Sequence, residues 1–240
     1  MPDTRTHRGP HPDDARLFGP QARPALREAT SDLSWLLGRG YVNPSALKLV
    51  GDRYRLVARQ RTAVERAACS DADLARREAR RIASQQLSGR ALWLDGYNVL
   101  TTVEAALAGG VILDCRDGTY RDMASMHGSY RKVAETRPAL ELLGQVIAGL
   151  GASECVWYLD RPVSNSGRLK KIIDQLAADR GWIWTVELVP DPDSILSETD
   201  QIAATADSVI LDRCRTWFNL ARETITRHVP EADVVSFSPP

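Results

Sequence analysis

The 240-residue sequence predicts an α/β fold, a mainly parallel sheet with flanking helices, preceded by a small all-α domain. Three observations predict it. Short apolar runs ending in carboxylates recur after residue 90, helical periodicities lie between them, and the first third shows helical periodicity alone. Strands alternating with helices point to parallel pairing, because a parallel connection must cross back over the sheet. With 43% hydrophobic and 26% charged residues, the composition argues against wholesale disorder.

Taken in order, residues 1–20 are a polar lead bearing Pro, His and Asp, expected to be flexible. From Pro24 to Leu37, apolar residues recur at helical spacing, and Gly38 and Gly40 offer a stop. Asn43-Pro44 reads as a helix start with an N-cap side chain, opening a helix from Ser45 to about Ala68. Ser70-Asp71-Ala72-Asp73 resembles a capping box with aspartate in place of glutamate, and opens a third helix to about Ala83. Strands are expected at Ala91–Asp95, Val111–Leu113, Cys155–Leu159, Trp182–Leu188 and Ile202–Thr205, and helices near Arg137–Leu150, Arg168–Asp179 and Asp212–Arg227. The domains are therefore 1–20 (lead), 21–88 (helical, basic) and 89–240 (α/β).

Lys and Arg total 31 and Asp and Glu total 31, which excludes a uniformly basic coat protein or an acidic tail. The neutrality is uneven: residues 1–90 carry 17 basic against 10 acidic side chains, and residues 91–240 carry 14 against 21. Such halves suit gripping a polyanion and holding cations, or simply packing against each other. Cys69, Cys115, Cys155 and Cys214 are widely spaced and form no CxxC pair, as in free thiols of a reducing compartment. No apolar run reaches the roughly 18–20 residues of a membrane span, and the N-terminus lacks an apolar signal core, so a cytoplasmic location away from membranes is expected.

Ligands of parallel sheets collect beyond the carboxyl ends of the strands. Asp95, Asp160, the pair Asp191 and Asp193, and Asp207 all follow expected strands. Gathered at one edge, they would repel one another unless protonated or neutralised by cations, and all-oxygen ligands suit Mg²⁺ or Mn²⁺. The plainer reading of any single one is a helix N-cap or turn residue.

The string Asp95-Gly96-Tyr97-Asn98 resembles the "DGYN" opening of NYN-type members of the PIN-like nuclease superfamily, and Ala204-Thr205-Ala206-Asp207-Ser208 is similar to that superfamily's late "ATSDS" segment. The resemblance covers about residues 91–212. It implies a PIN/NYN-like domain in which Asp95, Asp160, Asp193 and Asp207 hold metal and Asn98 lines the same site, with Asp191, Glu198 and Asp200 competing for the place given to Asp193. Gly96 would let the chain turn sharply there. The whole chain also resembles an uncharacterised bacterial and archaeal group that joins a helical basic domain to such a nuclease-like domain, through strings such as Val50-Gly51-Asp52-Arg53-Tyr54 and Asp117-Gly118-Thr119-Tyr120-Arg121-Asp122.

Expected nucleic-acid contacts are Arg76, Arg77, Arg80 and Arg81 on one side of the third helix, widened by Arg53, Arg55, Arg59, Arg61 and Arg66. Arg121, Arg131 and Lys132 join them, with Ser164, Ser166 and Arg168 in a loop entering a helix. Asp117 or Asp122 would complete the metal set, unless Asp117-Gly118 is only the turn of a surface hairpin. His127 reads as a surface histidine rather than a base. The resulting expectation is a metal-dependent nuclease acting on RNA. Its rivals are a non-catalytic RNA-binding module and a structural protein whose arginines are engaged by acids of the second domain. A homo-oligomer is compatible with all three.

Overall fold

The computed structural model describes residues 8–124 and 130–238. The chain runs through α1 (Asp14–Leu17), α2 (Arg23–Gly38), α3 (Asn43–Arg53), α4 (Ala58–Ala67) and α5 (Asp71–Arg80) before the first strand. It continues as β1 (Ala91–Asp95), α6 (Gly96–Leu107), β2 (Ile112–Asp114), β3 (Tyr120–Asp122), α7 (Thr136–Gly149), β4 (Glu154–Asp160), α8 (Ser166–Arg180) and β5 (Trp184–Val189). The last elements are α9 (Pro192–Glu198), β6 (Ile202–Ala204), α10 (Ser208–Leu211), β7 (Thr216–Phe218), α11 (Leu220–His228) and β8 (Val234–Ser236).

Five strands form an all-parallel sheet in the order β5-β4-β1-β6-β7, so the architecture is α/β with an N-terminal helical region. The chain builds outward from β1 through β4 to β5, then returns to lay β6 on the other side of β1. Alternate side chains face opposite layers. Leu92, Leu94, Cys155, Trp157, Ile202 and Ala204 enter a large core with residues of α6, α7, α8 and α11, whereas Tyr158, Ala203 and Trp217 enter a smaller one with α9 and α10. The expected run at residues 111–113 is a strand of a second sheet, β3-β2-β8, rather than of the main one.

Several expectations are corrected. Residues 8–20 are not a loose lead: Leu17 and Phe18 are buried beside α2 and α4, and Arg59 clamps the Asp14 carboxylate at 2.6 and 2.9 Å. Burying such apolar side chains stabilises by about 1.5–3 kcal/mol each, enough to order a short segment. The helix expected over 45–68 is two helices, because the chain turns at Arg55 with φ +52° and Leu56 N–H bonds back to Gly51. Asn43 does not cap α3; its Nδ2 donates to Glu65 Oε1 instead. Ser70 does cap α5, accepting from Asp73 N–H at 3.1 Å. The helix expected from Asp212 begins only at Leu220, since Thr216–Phe218 pairs with β6 and buries Trp217 and Phe218 on opposite faces. Here sheet pairing overrides helical periodicity.

The helical region and the α/β part share a core. Leu26, Leu33, Val50 and Val64 pack with Leu113, Val235 and Phe237 of the second sheet. Among the described residues no helix is long and apolar enough to cross a membrane.

Candidate metal and phosphate site

In the order β5-β4-β1-β6-β7, the direction of chain travel reverses between β1 and β6, and such a switch point opens a crevice beyond the strand ends. A cavity of about 580 Å³ lies there. Asp95, Asn98, Asp160, Asp193 and Asp207 all line it, so the five side chains that the resemblance singled out meet in one place. Tyr97, Thr101, Thr102 and Asp122 add to the same side, and Asn43, Glu65 and Arg66 of the helical region form an opposing wall.

Local structure explains each position. Asp95 ends β1 and caps α6: one carboxylate oxygen accepts from Asn98 N–H (3.4 Å), the other from the Thr205 hydroxyl (2.8 Å). Gly96 begins α6 directly. Its role is close approach rather than a sharp turn, because a Cβ there would stand 2.8 Å from the Tyr158 carbonyl oxygen and 2.6 Å from Leu159 Cδ2. The Asn98 side-chain oxygen Oδ1 accepts from Ala206 N–H at 2.9 Å, which fixes the amide and leaves its Nδ2 as the remaining donor. Asp207 caps α10 through Val209 N–H (2.7 Å), and Thr205 Oγ accepts from Asp207 N–H (2.9 Å). Asp191 is a cap too, at α9, and stands outside the cavity, whereas Asp193 in the first turn of α9 faces it. Asp95 and Asp207 thus cap helices and line the cavity at once.

Among the described residues no cation pairs with these carboxylates. Burial lifts the Asp95 carboxyl to about 7; the Thr205 hydrogen bond opposes this, and the charges of Asp207 and Asp193 add to it. Burial also raises Asp160 and Asp193, the latter with Asp207, Asp160 and Asp191 adding their charge. The two arginines of the lining are committed elsewhere. Arg66 donates to the carbonyls of Asp122 and Ala124, and Arg121 donates to the carbonyls of Ala206 and Arg66 and to Asp117.

Among the described residues no three His, Cys, Asp or Glu side chains are gathered tightly enough to chelate a metal ion. A closed cage is therefore absent from this geometry. A hydrated Mg²⁺ or Mn²⁺ needs less, since it keeps several waters and takes one or two carboxylates, and repelling carboxylates without cationic partners fit that donor set.

The arginine face of α5 belongs elsewhere. Arg77 is 3% exposed and bonds Asp117 (2.6 Å) and Asp212 (2.8 and 3.0 Å), so it is not a nucleic-acid contact. Arg80 donates to the Asp212 carbonyl and Arg76 pairs with Asp73 and Asp212, while Arg81 is exposed. Arg53, Arg59 and Arg61 pair with Asp32, Asp14 and Asp52. Helical spacing could not reveal Asp117 and Asp212, which lie 40 and 135 positions away. Asp117-Gly118 is the hairpin turn between β2 and β3, with Gly118 at φ +74°, and Asp117 is buried away from the cavity. Asp122 does reach the cavity, but the hydroxyls of Thr101 and Thr102 and Ala124 N–H already satisfy it.

Arg131, Lys132, Ser164 and Arg168 are exposed, and Ser166 is buried against the Arg161 carbonyl. None of the five lines the cavity. They share one neighbourhood, since Tyr130 N–H donates to the Ser164 carbonyl and Asn165 Nδ2 to the Tyr130 carbonyl. His127 lies outside the described residues.

A family model described as "Domain of unknown function (DUF5616)" matches residues 84–223, more than half of the sequence. The chain belongs to the DUF5616 family. A second model, "Protein of unknown function (DUF434)", matches residues 25–80, the helices that wall the cavity. The DUF5616 chain is 31% identical over 189 residues to "Uncharacterized protein MJ0935" of Methanocaldococcus jannaschii, covering 78% of this chain and 89% of that protein. No solved structure matches.

Sequence reasoning missed the Thr205 hydroxyl that joins β6 to Asp95, and the wall supplied by Asn43, Glu65 and Arg66. Thr205 stands two residues before Asp207 in the Ala204–Ser208 segment. Nothing local marked the wall.

Proposed function

We propose that this protein is a divalent-metal-dependent nuclease of PIN/NYN-like type, acting on RNA. One observation carries the reading: four carboxylates from four separate segments line a single cavity at the sheet's switch point, and no guanidinium or ammonium among the described residues neutralises them.

Asp95, Asp160, Asp193 and Asp207 would hold Mg²⁺ or Mn²⁺ in pairs, with water completing the shell. When bound, such an ion acidifies a coordinated water and screens charge on a phosphoryl oxygen. The chain's own residues do the rest. Thr205 orients Asp95, and Asn98, fixed by Ala206 N–H, presents its Nδ2 as a donor. Arg131, Lys132, Ser164 and Arg168 are the exposed groups available to hold the strand.

Incubating the full chain with single-stranded RNA and Mn²⁺, beside an Asp95→Asn/Asp207→Asn variant, tests the reading. Cleavage by the wild type alone is expected. Equal cleavage by both, or by neither across varied substrates, overturns it. The lack of a tight three-ligand group among the described residues favours a second reading, a non-catalytic RNA-binding module. That one requires RNA binding indifferent to metal and to Asp207→Asn.

A further inference from the structure

Tyr97 stands between Asp95 and Asn98 in sequence, yet the activity proposed above gives it no task. Its side chain lines the cavity, is 3% exposed, and carries a hydroxyl with no hydrogen-bond partner. The ring is well held: its centroid is 5.4 Å from that of Tyr130, whose own hydroxyl donates to Glu104 at 2.6 Å. A phenylalanine would pack there equally well, without stranding a polar atom away from water.

Asp160 lines the same cavity, and its charge adds to burial in raising the Tyr97 phenol. Asp95 and Asp207 each have donors. Asp160, among the described residues, receives no hydrogen bond from another side chain, and it is only partly buried. A donor without an acceptor therefore shares the cavity with a carboxylate that no other side chain among the described residues holds.

We propose that Tyr97 is the positioning residue for Asp160: a small swing of the aspartate brings a carboxylate oxygen to the phenolic hydrogen, which then holds it in one rotamer for a Mg²⁺ or Mn²⁺ ion. The inference rests on the metal-dependent reading above. A donor to a ligating carboxylate typically changes metal affinity ten- to hundred-fold.

The test is Mn²⁺ titration of the full chain, followed by the electron paramagnetic resonance of free Mn²⁺ and by calorimetry, with thermal melts of the metal-free protein alongside. Tyr97→Phe is expected to weaken Mn²⁺ binding roughly ten-fold or more, while the metal-free melting temperature stays the same or rises because a stranded hydroxyl is gone. Asp160→Asn should weaken binding further. Unchanged Mn²⁺ affinity in Tyr97→Phe, with affinity lost in Asp95→Asn/Asp207→Asn, overturns this inference and leaves the nuclease reading standing. A fall in both affinity and metal-free melting temperature assigns Tyr97 a packing role and overturns it too. A wild type that binds no Mn²⁺ overturns both.

Discussion

Two clusters of buried acid sit close together in this fold and behave in opposite ways. Around Asp117, burial pushes the carboxyl up, but Arg121, the Thr119 hydroxyl and Arg77 outweigh it and hold it at about 2. Around Asp95, burial acts with the charges of Asp207 and Asp193, and the carboxyl rises to about 7 against a Thr205 hydrogen bond. The residue type is the same and both side chains are deeply buried. What differs is the neighbour. Where guanidinium groups meet the carboxylate, the ion pair joins the α5 helix to the β2–β3 hairpin and is finished. Where only other carboxylates meet it, the cluster has no cationic partner among the described residues.

Breaking the finished cluster should have the largest effect. Arg77→Met leaves Asp117 with Arg121 alone and Asp212 with only the more distant Arg76, and a loss of about 3 kcal/mol is expected in urea unfolding. A loss below about 1 kcal/mol would mean the pair is not buried as described.

The unfinished cluster should respond with the opposite sign. A carboxyl whose folded pKa is raised contributes most below its unfolded pKa, near 4, and that contribution fades as pH rises through 7. The metal-free melting temperature should therefore fall between pH 5 and 8. Asp95→Asn should flatten that fall, stabilising the metal-free protein at pH 8 by up to about 4 kcal/mol, since Asn retains N-cap ability. A steeper fall in the variant would contradict the electrostatic assignment. Asp117 acts at the other end of the scale: its contribution is present above pH 4 and disappears as pH drops through 2, so acid unfolding belongs to that cluster.

The smallest stability effect is expected at the exposed cations. Arg131→Ala, Lys132→Ala and Arg168→Ala together should change stability by no more than about 0.5 kcal/mol per site. They should nevertheless weaken RNA binding and reduce its salt dependence, measured by fluorescence anisotropy across a salt series. Unaltered RNA affinity would remove this surface from the proposed interface.

The contrast also explains which parts of the molecule were legible in the sequence. Asp95, Asp160 and Asp207 were visible because each follows a β-branched or apolar run, and a parallel strand points its end at the ligand side. Arg77 was misleading, because a helix wheel displays the spacing of Arg76, Arg77, Arg80 and Arg81 and hides the acids they meet. β3, β7 and β8 have three residues each and leave too little pattern to separate from loop or helix. The turn at Arg55 was invisible for another reason: nothing in Tyr54-Arg55-Leu56 announces a left-handed backbone, and tertiary packing imposes it. Asn43-Pro44 looks like a cap because caps are local, whereas the partner of Asn43, Glu65, belongs to the next helix.

Arg121 reaches the chain at residues 66, 117 and 206 through a single guanidinium. The two family segments, though separable on paper at residues 80–84, are therefore not separable as objects. A fragment starting at residue 89 would uncover Leu113, Val235 and Phe237, deprive Asp117 of Arg77, and remove the residue 66 carbonyl that helps hold Arg121. Excision of the front half would take part of the back half's architecture with it.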